Sequence, residues 1–91
     1  MPTVDKLRNE IRVSVGRYER QVSSAFTKEA LAAICEAVEY DINHDNYPSK
    51  AVMRAGILWK LGEMEEPVPT DADRPFRKYE LEAIAGGLND V

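Results

Sequence analysis

The sequence predicts an all-α fold, a compact four-helix domain. In four separate segments, apolar side chains recur every three or four residues, the spacing that places them on one face of an α-helix. Three of the four segments follow a threonine or serine, residue types that cap helix N-termini. The chain has 91 residues, enough for one hydrophobic core, so we expect residues 1–91 to form a single domain.

The first predicted helix spans residues 3–22. Thr3 is its expected N-cap, and Asp5 lies in the first turn, where the helix dipole favours an anion. Gly16 lies inside the apolar stripe, so it either costs about 1 kcal/mol within a long helix or ends a shorter one. The unbroken stripe favours the longer helix. The stripe consists of Val4, Leu7, Ile11, Val15, Tyr18 and Val22.

The second predicted helix follows Thr27 and has the sequence KEALAAICEAVEYDI, residues 28–42. It ends at NHDNYP, because Asn and Asp favour turns and the residue before Pro48 is disfavoured in a helix. Cys35 lies on the inner stripe, where a small buried apolar residue is expected. That stripe consists of Leu31, Ile34, Cys35, Val38 and Ile42.

Ser49 is the expected N-cap of the third helix, KAVMRAGILWKLGEM, which Gly62 can end in a left-handed conformation. The acidic, proline-rich residues 63–75 form a predicted linker without helix. The fourth helix, roughly residues 76–88, follows. The residues expected to be buried in these two helices are Val52, Met53, Gly56, Ile57, Leu61, Phe76, Leu81, Ile84 and Leu88, with Trp59 beside them.

The second half of the chain matches the first at several positions, which indicates an internal repeat. Any two amphipathic helices share apolar matches, but the matched Arg, Gly, Phe and Lys positions are more specific. We therefore predict two duplicated helix–loop–helix units, residues 5–40 and 50–89, whose apolar stripes pack on each other. The long first helix could also extend beyond them and form a homodimer. The matched pairs are Leu7/Met53, Arg8/Arg54, Ile11/Ile57, Gly16/Gly62, Phe26/Phe76, Lys28/Lys78, Leu31/Leu81 and Ile34/Ile84.

Composition excludes several classes of protein. The single cysteine cannot form an intrachain disulfide or a cysteine zinc cluster. The N-terminus is charged where a signal peptide needs an apolar run, and no stretch approaches the roughly 20 apolar residues of a membrane span. We therefore predict a cytoplasmic protein without a membrane partner. The net charge of −4 argues against a general nucleic-acid coat protein, although a local basic patch remains compatible with it.

No pattern indicates catalysis, a metal or a cofactor. Residues 41–52, DINHDNYPSKAV, begin like a calcium loop, but the twelfth position is Val52 instead of the bidentate glutamate, so a turn rich in Asp and Asn is the better interpretation. His44 is the only histidine, and Cys35 lies on an inner stripe rather than at a cleft. We predict a protein that is not an enzyme.

Within residues 31–57, a predicted helix that contains Leu31 and Ile34 is followed by a polar loop with Pro48. A short helix that begins at Lys50 comes next. This arrangement resembles the helix–extended-loop–helix modules, which include the SAP- and LEM-like domains and the N-terminal domain of the transcription terminator Rho. The resemblance implies that the loop and the start of the second helix contact DNA, RNA or a chromatin protein.

Carried over to this chain, the resemblance implies that Ser49, Lys50 and Arg54 are the contact residues. Arg8 and Arg12 belong to a basic strip on the first predicted helix, which is either a solvated face or a face that contacts phosphates. The sequence thus predicts a small regulatory module that binds nucleic acid by docking the start of a helix while the arginines hold the backbone. The alternative is a protein-interaction or dimeric assembly domain that uses the first helix or the surface around Trp59.

Overall fold

The computed structural model describes residues 3–17 and 26–89, and within these ranges it contains helices and no β-strand. This confirms the predicted all-α, four-helix fold. The Cα radius of gyration is 12.0 Å, which matches the roughly 12 Å expected for a compact chain of this length. The elements are α1 (Val4–Ser14), α2 (Lys28–Ala37), α3 (Lys50–Lys60), a 3₁₀ helix (Pro69–Ala72) and α4 (Lys78–Asn89).

The helices pair across the two halves of the chain, which we define as residues 3–40 and residues 49–89. The main partner of α1 is α4, and the main partner of α2 among the α-helices is α3. Each helix of the first half therefore packs chiefly on a helix of the second. The shared interior lies between the two halves.

The core gathers apolar side chains from all four α-helices, as the four stripes predict. Ile11, Ile34, Ile57 and Ile84 are each 0% exposed, so every helix contributes a fully buried isoleucine. Burying a side chain of this size contributes roughly 1.5–3 kcal/mol. The other large, fully buried side chains are Leu31, Cys35, Met53, Leu58 and Leu81.

α1 ends earlier than predicted. Gly16 has φ +79°, a left-handed conformation that stops the helix. The N–H of Arg17 donates to the carbonyl of Arg12 (2.6 Å), and the N–H of Gly16 donates to that of Val13 (3.0 Å). The helix predicted over residues 3–22 is therefore wrong at residues 15–17, which follow the end of α1. Tyr18 and Val22, the last two members of its stripe, lie outside the described residues.

α2 also ends early, at Ala37 rather than at residue 42. Glu39 has φ +64°, and the N–H of Tyr40 donates to the carbonyl of Cys35 at 2.8 Å, so a glutamate takes the left-handed position that usually favours glycine. Ile42 still packs against the core, but from the loop that follows the helix.

The N-caps of the first three α-helices match the predictions. The hydroxyl of Thr3 accepts from the N–H of Lys6 (3.2 Å), and that of Ser49 accepts from the N–H of Val52 (3.3 Å). Thr27 caps α2 in the same way. Gly62 ends α3 with φ +78°, as predicted. α1 and α3 thus share length and caps, while their descent from one duplicated unit remains a prediction.

The predicted linker, residues 63–75, is not free of helix. Residues Pro69–Ala72 form a 3₁₀ helix that packs on α3. Ala72 is 1% exposed, and its carbonyl accepts a hydrogen bond from Nη1 of Arg54 at 3.3 Å. A buried alanine and a side-chain hydrogen bond therefore hold this segment against α3.

Candidate functional site

Phe26 and Phe76 bring the starts of α2 and α4 together. Their ring centroids are 6.2 Å apart with planes at 65°, an edge-to-face contact of the kind that aromatic pairs prefer. Both rings are buried. Because each ring lies two residues before a helix begins, at Lys28 and Lys78, the contact places two helix N-termini side by side.

Basic side chains follow both rings along the chain. Lys28, Arg77 and Lys78 are exposed and lie within two residues of Phe26 or Phe76. The backbone N–H groups at a helix N-terminus carry partial positive charge, which adds to that of the side chains. This end of the molecule therefore presents three exposed basic side chains in a chain of net charge −4. They lie beside the exposed Glu29 and the Glu80 carboxylate that accepts from the N–H of Arg77.

Two of the predicted contact residues, Arg8 and Arg54, meet at a small cavity beside the phenylalanine pair. Arg8 lies on α1 and is half-buried, whereas Arg54 lies on α3 and is 9% exposed. The cavity has a volume of about 10 Å³. Its lining consists of Arg8, Phe26, Arg54, Pro75, Phe76 and Leu81.

Arg54 carries a buried charge with few protein partners. Its described hydrogen bond goes to the carbonyl of Ala72, and no carboxylate of residues 3–17 or 26–89 forms an ion pair with it. Burial lowers the pKa of the Arg54 guanidinium, and the charge of nearby Asp73 opposes that shift. The sequence predicted an exposed phosphate contact here, whereas the structure places the guanidinium at the wall of a cavity.

Arg12 is not exposed as the predicted basic strip requires. It is 3% exposed, and its Nη1 donates to Oδ1 of Asn9 at 2.8 Å. Its guanidinium carbon lies 5.2 Å from the centroid of the Phe26 ring, within cation–π range. Arg12 therefore supports Phe26 from inside the molecule.

Ser49 and Lys50 occupy the start of α3, as predicted. The Ser49 hydroxyl accepts the capping hydrogen bond from Val52, while Lys50 is exposed one turn before Arg54. Of the predicted contact residues that carry a charge, Lys50 is exposed, Arg8 is half-buried, and Arg12 and Arg54 are buried. Arg8 and Arg54 are the two that line a common cavity.

An ionic cap holds the start of α4. Glu80 is buried, and Arg74 donates to its two carboxylate oxygens at 2.6 and 3.2 Å. The N–H of Arg77 donates to the same carboxylate at 2.7 Å. Burial would raise the pKa of Glu80, but the hydrogen bonds from Arg74 and Arg77 outweigh it and hold the pKa below its ordinary value of 4.5. Glu80 therefore remains a carboxylate at neutral pH.

A second surface feature surrounds Trp59, at the opposite end of α3 from Lys50. Trp59 is 40% exposed, and its ring centroid lies 6.1 Å from that of Tyr40. Nζ of Lys60 lies 5.2 Å from the centroid of the indole, and Tyr40 lies against the backbone of Gly56. We call these four residues the Trp59 surface.

Cys35 is a core residue, as predicted. It is 0% exposed, its thiol donates to the carbonyl of Met53 at 3.8 Å, and burial raises its pKa to about 12. His44 is exposed and packs edge-on against Tyr47. In the part of the chain that the structure describes, no three or more His, Cys, Asp or Glu side chains cluster as metal ligands.

Across the described ranges, the helices are too short or too polar to traverse a lipid bilayer. No protein-family model, curated protein or solved structure matches the chain significantly. The resemblance to helix–extended-loop–helix modules thus stays a prediction from the sequence.

Proposed function

We propose that the protein is a non-enzymatic module that binds nucleic acid through the phosphate backbone. The binding surface would be the end of the molecule around the Phe26–Phe76 contact, which we call the basic face. The observation that carries this proposal is the convergence of two helix N-termini, with their exposed basic residues, beside a cavity lined by two arginines. The basic face consists of Arg8, Lys28, Lys50, Arg54, Arg77 and Lys78.

The charge distribution supports binding in one orientation. The chain carries 16 acidic and 12 basic side chains besides its histidine, so acidic groups dominate the surface outside the basic face. Phosphates are attracted to concentrated positive charge and repelled by the acidic remainder. The linker carboxylates of residues 63–66 and the acidic loop of residues 41–45 would therefore stay away from the nucleic acid.

A titration with a fluorescent mixed-sequence DNA duplex at low and moderate salt tests this proposal. Each phosphate neutralised on a duplex contributes about −0.9 to the slope of log affinity against log salt. If the exposed basic side chains of the basic face contact phosphates, we expect the slope of log affinity against log salt to be about −3 or steeper. Affinity that does not change with salt would contradict the proposal.

The two ends of α3 provide a matched pair of variants. Lys50 and Lys60 are both exposed on the same helix, but only Lys50 belongs to the basic face. We expect Lys50→Glu combined with Lys78→Glu to weaken duplex binding about tenfold or more, because charge-assisted contacts contribute about 1.5–3 kcal/mol. Lys60→Glu makes the same charge change as Lys50→Glu alone, at the other end of the helix, and should leave the affinity within about twofold. Equal losses of duplex affinity from substitutions at the two ends of α3 would contradict binding through a localised basic face.

The partial exposure of Trp59 favours a second candidate, a domain that self-associates through the Trp59 surface. A half-exposed tryptophan beside a tyrosine is the kind of anchor that occurs at protein interfaces. Light scattering on the same samples distinguishes the two. An assembly domain would have the mass of a dimer, lost in Trp59→Ser, and would not respond to Lys50→Glu or Lys78→Glu.

A further inference from the structure

We propose that the cavity between Arg8 and Arg54 is a subsite for one oxygen atom of a phosphate group. The subsite would bind a phosphate of the nucleic acid, and in that sense it rests on the proposed function. It can be tested with inorganic phosphate alone, so that either the subsite or nucleic-acid binding can fail without the other.

The first support is the incomplete solvation of Arg54. A guanidinium has five N–H donors, and the hydrogen bond described for this one uses a single donor, to the Ala72 carbonyl at a long 3.3 Å. Buried charges are ordinarily paired, because removing an ion from water is costly. Arg54 is more than nine-tenths buried and has no ion pair with residues 3–17 or 26–89. An anion at the cavity would supply the missing partner.

The second support is the size of the cavity. A volume of about 10 Å³ is close to that needed for one water-sized group. It therefore admits a single oxygen atom and excludes a whole phosphate. The phosphorus and the remaining oxygens would lie outside the cavity, next to the half-buried Arg8 that also lines it.

The walls provide the third support. Phe26, Phe76 and Leu81 line the cavity with apolar surface, and Pro75 has no backbone N–H. Apolar walls lower the local dielectric constant, which strengthens the attraction between a guanidinium and an anion. The two arginines come from different halves of the chain, one on α1 and one on α3, so they can donate to the oxygen and its phosphate from two sides.

Asp73 would compete with the ligand. It follows Ala72 directly, is exposed, and acts on Arg54 through its charge without forming an ion pair. A carboxylate this close repels an incoming phosphate and partly offsets the charge of Arg54. We therefore expect Asp73→Asn to bind phosphate more tightly than the unmodified chain.

The test is isothermal titration calorimetry of the full chain with inorganic phosphate, at constant ionic strength maintained with sodium chloride. We expect saturable binding that weakens about tenfold in Arg54→Gln and in Arg8→Gln, since each removes charge-assisted hydrogen bonds worth about 1.5 kcal/mol or more. Lys60→Gln removes the same charge at the other end of α3 and should leave binding unchanged. Circular dichroism checks that each variant is folded. Arg54→Lys keeps the positive charge but loses the planar guanidinium with its several N–H donors, so it should bind phosphate more weakly than the unmodified chain.

Two results would overturn the subsite: no saturable binding by the unmodified chain, or equal binding by the unmodified chain and the folded Arg8 and Arg54 variants. Tighter binding by Asp73→Asn would support it. Duplex binding without phosphate binding would overturn the subsite and leave the proposed function standing. Phosphate binding that depends on Arg54, in a chain that binds no duplex, would support the subsite and overturn the proposed function.

Discussion

The first helices of the two halves, α1 and α3, have matching boundaries, whereas the second helices, α2 and α4, have 10 and 12 residues. α1 and α3 both have 11 residues, a hydroxyl N-cap and a left-handed glycine after the C-cap. In the alignment that the predicted repeat implies, Arg12 is matched by Leu58, Val13 by Trp59 and Ala30 by Glu80. The caps and buried apolar positions therefore define a common frame, and the replaced positions carry the contacts specific to each half.

These replacements give each half its own polar chemistry. The first half buries Arg12 under Phe26, while the second buries Glu80 in an ionic cap at the start of α4. The second half also exposes Trp59 where the first exposes a valine. The same frame thus supports one end with exposed basic side chains and one end that presents an aromatic side chain.

The largest expected effect tests whether the halves share one interior. Ile34 and Ile84 occupy matched positions on α2 and α4, and both are fully buried. Truncating a buried isoleucine to alanine costs about 2–5 kcal/mol. We expect Ile34→Ala and Ile84→Ala each to lower the free energy of unfolding by such an amount, with one cooperative transition in urea. Two separate transitions, or a loss confined to one variant, would show that the halves fold independently.

The next effect concerns the ionic cap that only the second half has. The pKa of Glu80 is lower in the folded chain than its ordinary value of 4.5, so its stabilisation is present above that pH and is lost as the pH falls through the folded value. Glu80→Gln should cost about 1–3 kcal/mol at pH 7 and flatten the decline in stability between neutral and acidic pH.

Urea denaturation at neutral and acidic pH measures both effects of Glu80→Gln. Glu82→Gln is the control, because Glu82 is exposed on the same helix and its replacement should change stability by less than about 0.5 kcal/mol. An unchanged pH dependence in Glu80→Gln would mean that the acid sensitivity arises elsewhere.

The smallest effect compares the ends of α1 and α2. A non-glycine residue in the left-handed region costs about 1 kcal/mol, so Glu39→Gly should stabilise the chain by roughly that amount. Gly16→Ala places a side chain in the same conformation with no atom within 4 Å of the added carbon, and should destabilise by a similar amount. Thermal unfolding measures both. If both substitutions changed stability in the same direction, an effect other than backbone conformation would determine which residue is favoured at these positions.

The helical frame could be predicted from sequence because its signals are local. The spacing of Ile11, Ile34, Ile57 and Ile84 identifies the buried faces, and the hydroxyl caps identify three helix starts. The early end of α2 could not be predicted, because Glu39 takes a glycine-like conformation in a stretch of sequence, residues 17–55, that contains no glycine. Gly16 carried the right signal, but the apolar stripe continued past it and favoured a helix that does not continue through residues 15–17.

The candidate site was harder to predict from the sequence, because the burial of its side chains depends on tertiary packing. The sequence predicts exposed side chains for Arg12 and Arg54, because charged residues usually lie at the protein surface. The repeat contained a usable signal for Arg12, since its aligned partner is Leu58, which is 1% exposed. The cavity of Arg8 and Arg54 carries no such signal, because its lining residues come from distant parts of the chain and are brought together only by the tertiary fold.

The pairing of α1 with α4 and of α2 with α3 bears on how the chain could be divided or exchanged. A cut in the loop of residues 41–48 would leave two fragments that each expose an apolar face fitting the other, so they should reassemble without a covalent link. Shortening that loop would prevent the halves of one chain from folding back on each other. Two chains could then trade halves, giving a domain-swapped dimer with the same helix contacts in each lobe.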